Sequence, residues 1–332
     1  MTTHSFNELS LPRNHADLES YTRIFDTILK QVDKNFPDQV NLVVNTTWID
    51  MIPDQLREKF LQLTVDNLFL IGTIDNLNLV EYPANVTVYQ VGNIIDKKFN
   101  QYYFSSSAIV LSDIFRTYTD DQLVLTHASS AYLCYQNKPS SHRQLLTSKL
   151  MRDNLLNCGV ITLSKGNRAE FDFPELYQMT VDESPDITFY GPFKENPYSL
   201  GDISIWKNCF LNVISETLPI SSNHFISEKT YKPIIGMRPF VLNGDPRILT
   251  YLSDLGFHTF EEYWPDIHFR DCSNMDEVTD SVISVIHRIA NMSPATIYEM
   301  YTEMLPKLRH NRERFFQHAR EQEHILTHLF ES

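Results

Sequence analysis

The sequence predicts an α/β fold built on parallel sheets, and three observations carry that expectation. Short apolar runs of strand length alternate with longer stretches whose apolar residues recur at helical spacing. The connections between them are short, which implies strands joined by right-handed crossovers. The run Pro239-Phe-Val-Leu-Asn-Gly244 is apolar and closes on a turn residue, as strands buried on both faces do. With 332 residues, 42% hydrophobic and 21% charged, the chain reads as a soluble globular protein long enough for two domains or one large one. The pattern divides it into 1–124, 125–294 and a helical tail over 295–332.

Residues 1–15 are polar and irregular. Leu18, Tyr21, Ile24, Phe25, Ile28, Leu29 and Val32 then mark an amphipathic helix. Val40–Asn45 is a strand, Pro53 opens a helix that runs to Leu63, and Leu68–Gly72 is a second strand. Val86–Val91 and Ala108–Ser112 are further strand candidates. Ligands of parallel α/β sheets gather at the carboxyl edge, so the loops holding Trp48, Asp50, Asp75 and Asp96 belong to the active side. Asp50 and Asp75 are the candidates for a general base, with Asp96 behind them. Each also fits the turn role that Asp often fills.

The second half opens on a strand, Ser129–Tyr135, and a polar loop through Asn137. Ser140 or Ser141 caps the next helix, whose apolar stripe includes Leu145, Leu146, Leu150 and Leu155. Val160–Leu163 is the following strand. Asn137, His142 and Arg143 therefore stand around a helix start, where anions bind and a guanidinium grips phosphate oxygens in pairs. Residues 166–200 are rich in Pro, Asp, Glu and aromatics without a period, as lids and acceptor loops are. Trp206–Thr217 reads as a strand running into the polar turn Ser215-Glu216-Thr217. Ser227–Gly236 is a helix, with Ser227 its cap, Glu228 in the first turn and Gly236 closing it. Further on, Asp245-Pro246 starts a helix, Phe257–Phe260 is a short strand, Met275–Met292 is strongly amphipathic, and 294–330 forms one or two terminal helices.

The adjacent Glu228 and Lys229 carry the most chemistry. A carboxylate accepts hydrogen bonds from a ribose diol, while an ammonium neutralises a diphosphate. The plainer reading makes Glu228 and Lys232 a surface pair one helical turn apart.

Composition narrows the classes. A net charge of -14 opposes broad attraction to nucleic acid, although a local basic groove is compatible with it. The four cysteines, Cys134, Cys158, Cys209 and Cys272, form no CxxC pair and read as reduced thiols. Neither GxGxxG nor GxxxxGK[ST] occurs, nor a convincing DxD metal motif. No apolar run is long enough to span a bilayer and the N-terminus lacks a signal-peptide pattern, so a cytoplasmic protein with no membrane partner is expected.

Ser227-Glu-Lys-Thr-Tyr-Lys-Pro-Ile-Ile-Gly236 resembles the donor-binding signature of α1,3-fucosyltransferases. It is also similar to the Glu-Lys-Thr-aromatic-Lys-Pro-Ile run of glycosyltransferase-like proteins from phages and large viruses. Two further blocks recur in the expected order. One spans Asn137 to Arg143, with Lys138 and Ser140 standing where the viral pattern has arginines. The other is the strand ending at Ser215-Glu216-Thr217, where the fucosyltransferases end in Phe-Glu-Asn-Ser. Together they cover residues 125–262.

The resemblance implies a GT-B-like architecture, with two Rossmann-like doubly wound domains facing a cleft and the last helix crossing back to the first. It implies a glycosyltransferase that moves a sugar from a nucleotide-sugar co-substrate to an acceptor hydroxyl, with no cofactor and no metal. By resemblance Glu228 meets the ribose and Lys229 the phosphates, with Arg143 and Lys232 assisting. Ser215, Glu216 and Thr217 border the base or ribose, and Asn137, His142 and Thr230 complete the donor site. The acceptor implied is a glycan, a small molecule or, because the similar proteins are viral, a hydroxymethylated base in DNA. The alternative is a protein on the same fold that binds a nucleotide or a partner without turnover.

Overall fold

The computed structural model describes residues 3–6, 15–45, 66–71, 86–92, 100–136, 139–163, 172, 198–220 and 226–331. The chain divides into two compact units, Met1–Ile114 with His318–Ser332, and Phe115–Gln317. Each is α/β with a parallel sheet.

In the first unit the strands are β1 (Thr3–Phe6), β2 (Asn41–Asn45), β3 (Asn67–Ile71), β4 (Thr87–Gly92) and β5 (Asn100–Tyr103), paired in that order. Thr3–Phe6, expected to be irregular, is an edge strand too short to show a period. Helix α1 (His15–Asn35) joins β1 to β2 and buries Ile24, Phe25, Ile28 and Val32. The described strands follow one another without a reversal, so the doubly wound order expected of both domains is not seen in this sheet. Ala108–Ser112, expected as a strand, lies inside α2 (Ser106–Phe115). Ala108, Ile109, Val110 and Leu111 are all buried, and a helix apolar all round gives the same short run as a buried strand. The Ser105 hydroxyl, which accepts from Ala108 N–H at 3.3 Å, is the helix-start signal that separates the two. Near the C-terminus Phe330 packs edge-on against Phe36, Phe69 and Tyr102, with centroids 5.4, 5.5 and 4.7 Å away. The tail thereby completes this unit's aromatic core.

The second unit contains α3 (Asp120–Leu123), β6 (Ser130–Tyr135), α4 (Ser141–Arg152), β7 (Gly159–Thr162), α5 (Ile203–Asn208), β8 (Cys209–Ser215), α6 (Glu228–Ile235) and β9 (Phe240–Asn243). Beyond them come α7 (Arg247–Asp254), α8 (Met275–Ala290) and α9 (Pro294–Thr327), whose residues from His318 belong to the first unit. The sheet order is β7-β6-β8-β9, so the winding reverses between β6 and β8. In such a sheet the crevice outside the carboxyl ends of the two strands flanking the reversal is where ligands bind.

Two local expectations need correction here. Trp206–Asn208 is helical, because the Asp202 side chain accepts from Ser204 N–H at 2.8 Å and starts α5, and the strand begins only at Cys209. Phe257–Phe260 is not a strand. The Asn311 side chain takes the place of a neighbouring strand, accepting from His258 N–H and donating to His258 O, both at 2.8 Å.

Trp206 also fixes Gly236, the residue closing α6. Its indole N–H donates to Gly236 O at 2.8 Å, and a Cβ on Gly236 would sit 2.4 Å from the ring. Gly236→Ala is therefore expected to destabilise the second unit by about 1–3 kcal/mol through overpacking. Chemical denaturation of the variant checks this, and a midpoint equal to wild type would contradict the packing described.

Candidate functional site at the exit of strand β8

The carboxyl end of β8 gathers most of the residues singled out in the sequence. Ser215 ends the strand, and Glu216 follows it completely buried. The Glu216 carboxylate is filled by its own chain. Oε1 accepts from Ser227 N–H at 3.0 Å and the Thr230 hydroxyl at 2.6 Å, while Oε2 accepts from Thr217 N–H at 2.7 Å and the Ser227 hydroxyl at 2.7 Å. Ser227 is also the N-cap of α6, its oxygen accepting from Lys229 N–H at 3.2 Å. Buried carboxylates persist only where such donors compensate them.

The main-chain oxygen of Glu216 holds the other side of the site. It accepts from His142 Nε2 at 2.8 Å and from Arg143 Nη2 at 3.1 Å, and the same Nη2 reaches Ser215 O at 3.3 Å. One residue thus ties the start of α4 to the start of α6. Behind it, Asn243 at the end of β9 donates to Ser215 Oγ at 3.2 Å and to His142 O at 3.3 Å, and accepts from the Thr279 hydroxyl of α8 at 3.1 Å. Gly244 leaves the strand so close that a Cβ there would meet Glu216 Cβ at 3.0 Å.

With Nε2 donating to a carbonyl and Nδ1 placed 3.3 Å from the Ser140 hydroxyl, His142 is neutral. Burial first, and then the neighbouring charges of Arg143 and Lys229, hold its pKa down to about 4, an effect the bond to Glu216 only partly opposes. The sign follows directly. The unfolded chain takes up this proton near the ordinary histidine pKa and the folded chain only near 4, so stability contributed by neutral His142 is complete above about pH 6.5 and falls as pH drops toward 4. An NMR titration should find the His142 ring neutral at pH 5.5, and a midpoint near 6.5 would contradict the buried contact to Glu216.

On the more accessible side stand Glu228 and Lys229, both half-buried on the first turn of α6. Lys229 Nζ donates to Glu228 Oε1 at 2.6 Å and to Thr217 Oγ1 at 3.1 Å. Burial pushes the Glu228 pKa up, but the charges of Lys229 and Lys232 outweigh it and hold the carboxyl below its usual range. Arg143 and Lys232 are buried. Burial lowers the Arg143 pKa, against the opposing charges of Glu216 and Glu228.

The expected site residues therefore separate into two groups. Glu228, Lys229, Lys232, Arg143 and Thr217 meet around the exit of β8. Glu216, expected beside a base or ribose, is a carboxylate already saturated by internal donors. Ser215, His142 and Thr230 likewise direct their polar atoms inward, to Asn243 and Glu216. Asn137, Asp50, Asp75 and Asp96 lie outside the described residues. Asn243 and Thr279 were not singled out in the sequence. A polar residue ending an apolar strand is a usable signal for Asn243, whereas a lone threonine in an amphipathic helix gives none for Thr279. Among the described residues no three His, Cys, Asp or Glu side chains are grouped to hold a metal ion, and no helix is long and apolar enough to cross a membrane. The four cysteines are free thiols.

Comparison with protein-family models, with curated proteins and with solved structures finds no match to this chain. The geometry of the site and the motifs themselves carry the functional argument.

Proposed function

We propose that the second unit binds a nucleotide-sugar at the exit of β8 and that the chain is a GT-B-like glycosyltransferase. One observation carries this reading. Arg143 and Lys229 come from the starts of two different helices, yet bond to consecutive residues, Glu216 and Thr217, beside the point where the strand order reverses. Cations and a helix N-terminus focused there offset the charge that develops on a departing diphosphate. Lys229 is the accessible cation that meets the phosphates, and Arg143 is a fixed positive charge beneath them. Glu228, held ionised by Lys229 and Lys232, is the acceptor for ribose hydroxyls. Glu216 in this account shapes the site without touching the ligand. The acceptor is a hydroxyl of a glycan, a small molecule or a modified DNA base, and the net charge of -14 favours the first two. Asp50 and Asp75 are the candidates for removing its proton.

A thermal-shift panel of UDP-, GDP-, CMP- and dTDP-sugars tests the reading. One class of nucleotide is expected to stabilise the protein by about 2.7 kcal/mol at one hundred times its Kd. Release of free nucleoside diphosphate on adding acceptors separates an enzyme from a binding protein. No shift with any of the four would remove the support for a donor site.

A further inference from the structure

We propose that His324 and His328, far from the anion site in sequence and independent of it in function, form a two-histidine site for a divalent transition-metal ion at the C-terminal end of α9. A spacing of four residues puts the two side chains on one helix face. Their Nδ1 atoms are 2.8 Å apart, with the rings edge-to-face and their centroids 4.3 Å apart. An ion bound to two imidazole nitrogens at about 2.0–2.1 Å, in tetrahedral or octahedral geometry, holds those nitrogens roughly 2.9–3.3 Å from each other. The pair is preset for chelation and needs to open only by a few tenths of an ångström.

At 2.8 Å the two nitrogens can hold one proton between them and not two, because one ring must donate and the other accept. His328 Nδ1 also lies 2.9 Å from the carbonyl oxygen of His324 and 3.0 Å from Thr327 Oγ1. The metal ion takes the place of that proton, which leaves to solvent or moves to Nε2 of the same ring, and His328 Nδ1 gives up its contact with the His324 carbonyl oxygen as its lone pair turns to the ion. No covalent bond other than N–H changes. Both rings are exposed, so water completes the coordination.

Glu331, three residues beyond His328, is paired with Lys34 Nζ at 2.6 Å, so its charge is offset by a lysine and the two imidazoles alone supply the protein ligands. Imidazole ligands suit zinc, nickel and copper over magnesium or calcium. With two protein ligands the affinity is modest. The ion bridges His324, in the last turn of α9, to His328, the first residue beyond it, in the segment that closes the first unit's aromatic core.

The test is a calorimetric titration of tag-free, chelator-treated full-length protein with zinc chloride and nickel chloride. His324→Ala and His328→Ala are run alongside, because the chain has 12 histidines and single variants separate this pair from the others. The tightest equivalent of wild type is expected to weaken by about tenfold or more in each variant, with the metal-free melting temperature unchanged, since both rings are exposed. Unchanged affinity and stoichiometry in the two variants would overturn the proposal. So would the absence of any heat from wild type at millimolar metal. Neither result bears on nucleotide binding, which is read separately.

Discussion

Glu216→Gln is expected to destabilise the second unit by about 2–4 kcal/mol, although it changes one atom and no volume. Each carboxylate oxygen of Glu216 receives one hydroxyl and one main-chain N–H. The hydroxyls of Ser227 and Thr230 can turn round and accept from an amide. The N–H groups of Thr217 and Ser227 cannot, so whichever way the glutamine amide faces, its NH2 meets a main-chain donor and leaves that donor buried without an acceptor. Glu228→Gln gives the contrast, since that carboxylate is half-buried and accepts from Lys229, itself half-buried at the mouth of the site. A cost below about 1 kcal/mol is expected there. Urea denaturation of the pair decides the matter: equal midpoints would mean that Glu216 does not hold the start of α6 as described.

Arg238→Met should cost about 3–5 kcal/mol despite keeping the volume and adding an apolar side chain. Arg238 is fully buried and, among the described residues, pairs with no carboxylate; its guanidinium is instead wrapped in carbonyls. It donates to Leu123 O at 2.8 Å, Trp206 O at 2.8 and 3.1 Å, Cys209 O at 3.0 Å and Met237 O at 2.9 Å, with Tyr301 Oη at 3.2 Å. The end of α3, helix α5, the start of β8 and helix α9 are thereby joined at one side chain. Burial draws its pKa down to about 10, which leaves it charged at neutral pH. Methionine would leave the carbonyls of Leu123, Trp206 and Cys209 without the donors this cation supplies. Arg238→Lys should recover a minority of the loss, because a single ammonium has three donors on one atom and cannot span acceptors on four elements. Tyr301 still reaches Met237 O at 3.1 Å in either variant. A thermal midpoint for Arg238→Met within about 2 °C of wild type would contradict the role given to this residue.

Arg238 and Lys229 also show what a sequence can and cannot disclose. Both are cations in one motif-rich stretch, where the sequence singles out Lys229 beside Glu228 and gives Arg238 no role. Met237 adopts φ 56, in the left-handed region, at the turn before β9, and Arg238 beyond it is directed into the core while Lys229 remains at the helix start. Nothing in the periodicity announces that turn. Glu216 and Glu228 diverge for a similar reason, since which acid is enclosed depends on how β8 and α6 close on each other. What was legible is what local chemistry specifies. Ser227 caps α6 as its type implies, Gly236 ends it at the expected place although the left-handed residue is Met237 and the glycine is required by the approach of Trp206, and the strand Phe240–Asn243 follows where a short apolar run sits. Elements whose apolar character is unbroken, such as Ala108–Leu111, could not be assigned by period, and Trp206–Asn208 was hidden by its continuity with the strand after it. Parallel pairing in both units follows from the alternation of strand and helix, whereas the strand orders, simple in one sheet and reversed in the other, depend on contacts no local pattern encodes.

The central claim is that cations at the starts of α4 and α6 serve one diphosphate. It is tested most directly by calorimetric titration of the stabilising nucleoside diphosphate into wild type and Lys229→Ala, each shown folded by its melting temperature. Loss of a charge-assisted contact worth about 1.5–3 kcal/mol predicts an affinity roughly tenfold to a hundredfold weaker in the variant, with its stability kept. Equal affinity in the two proteins would contradict the account.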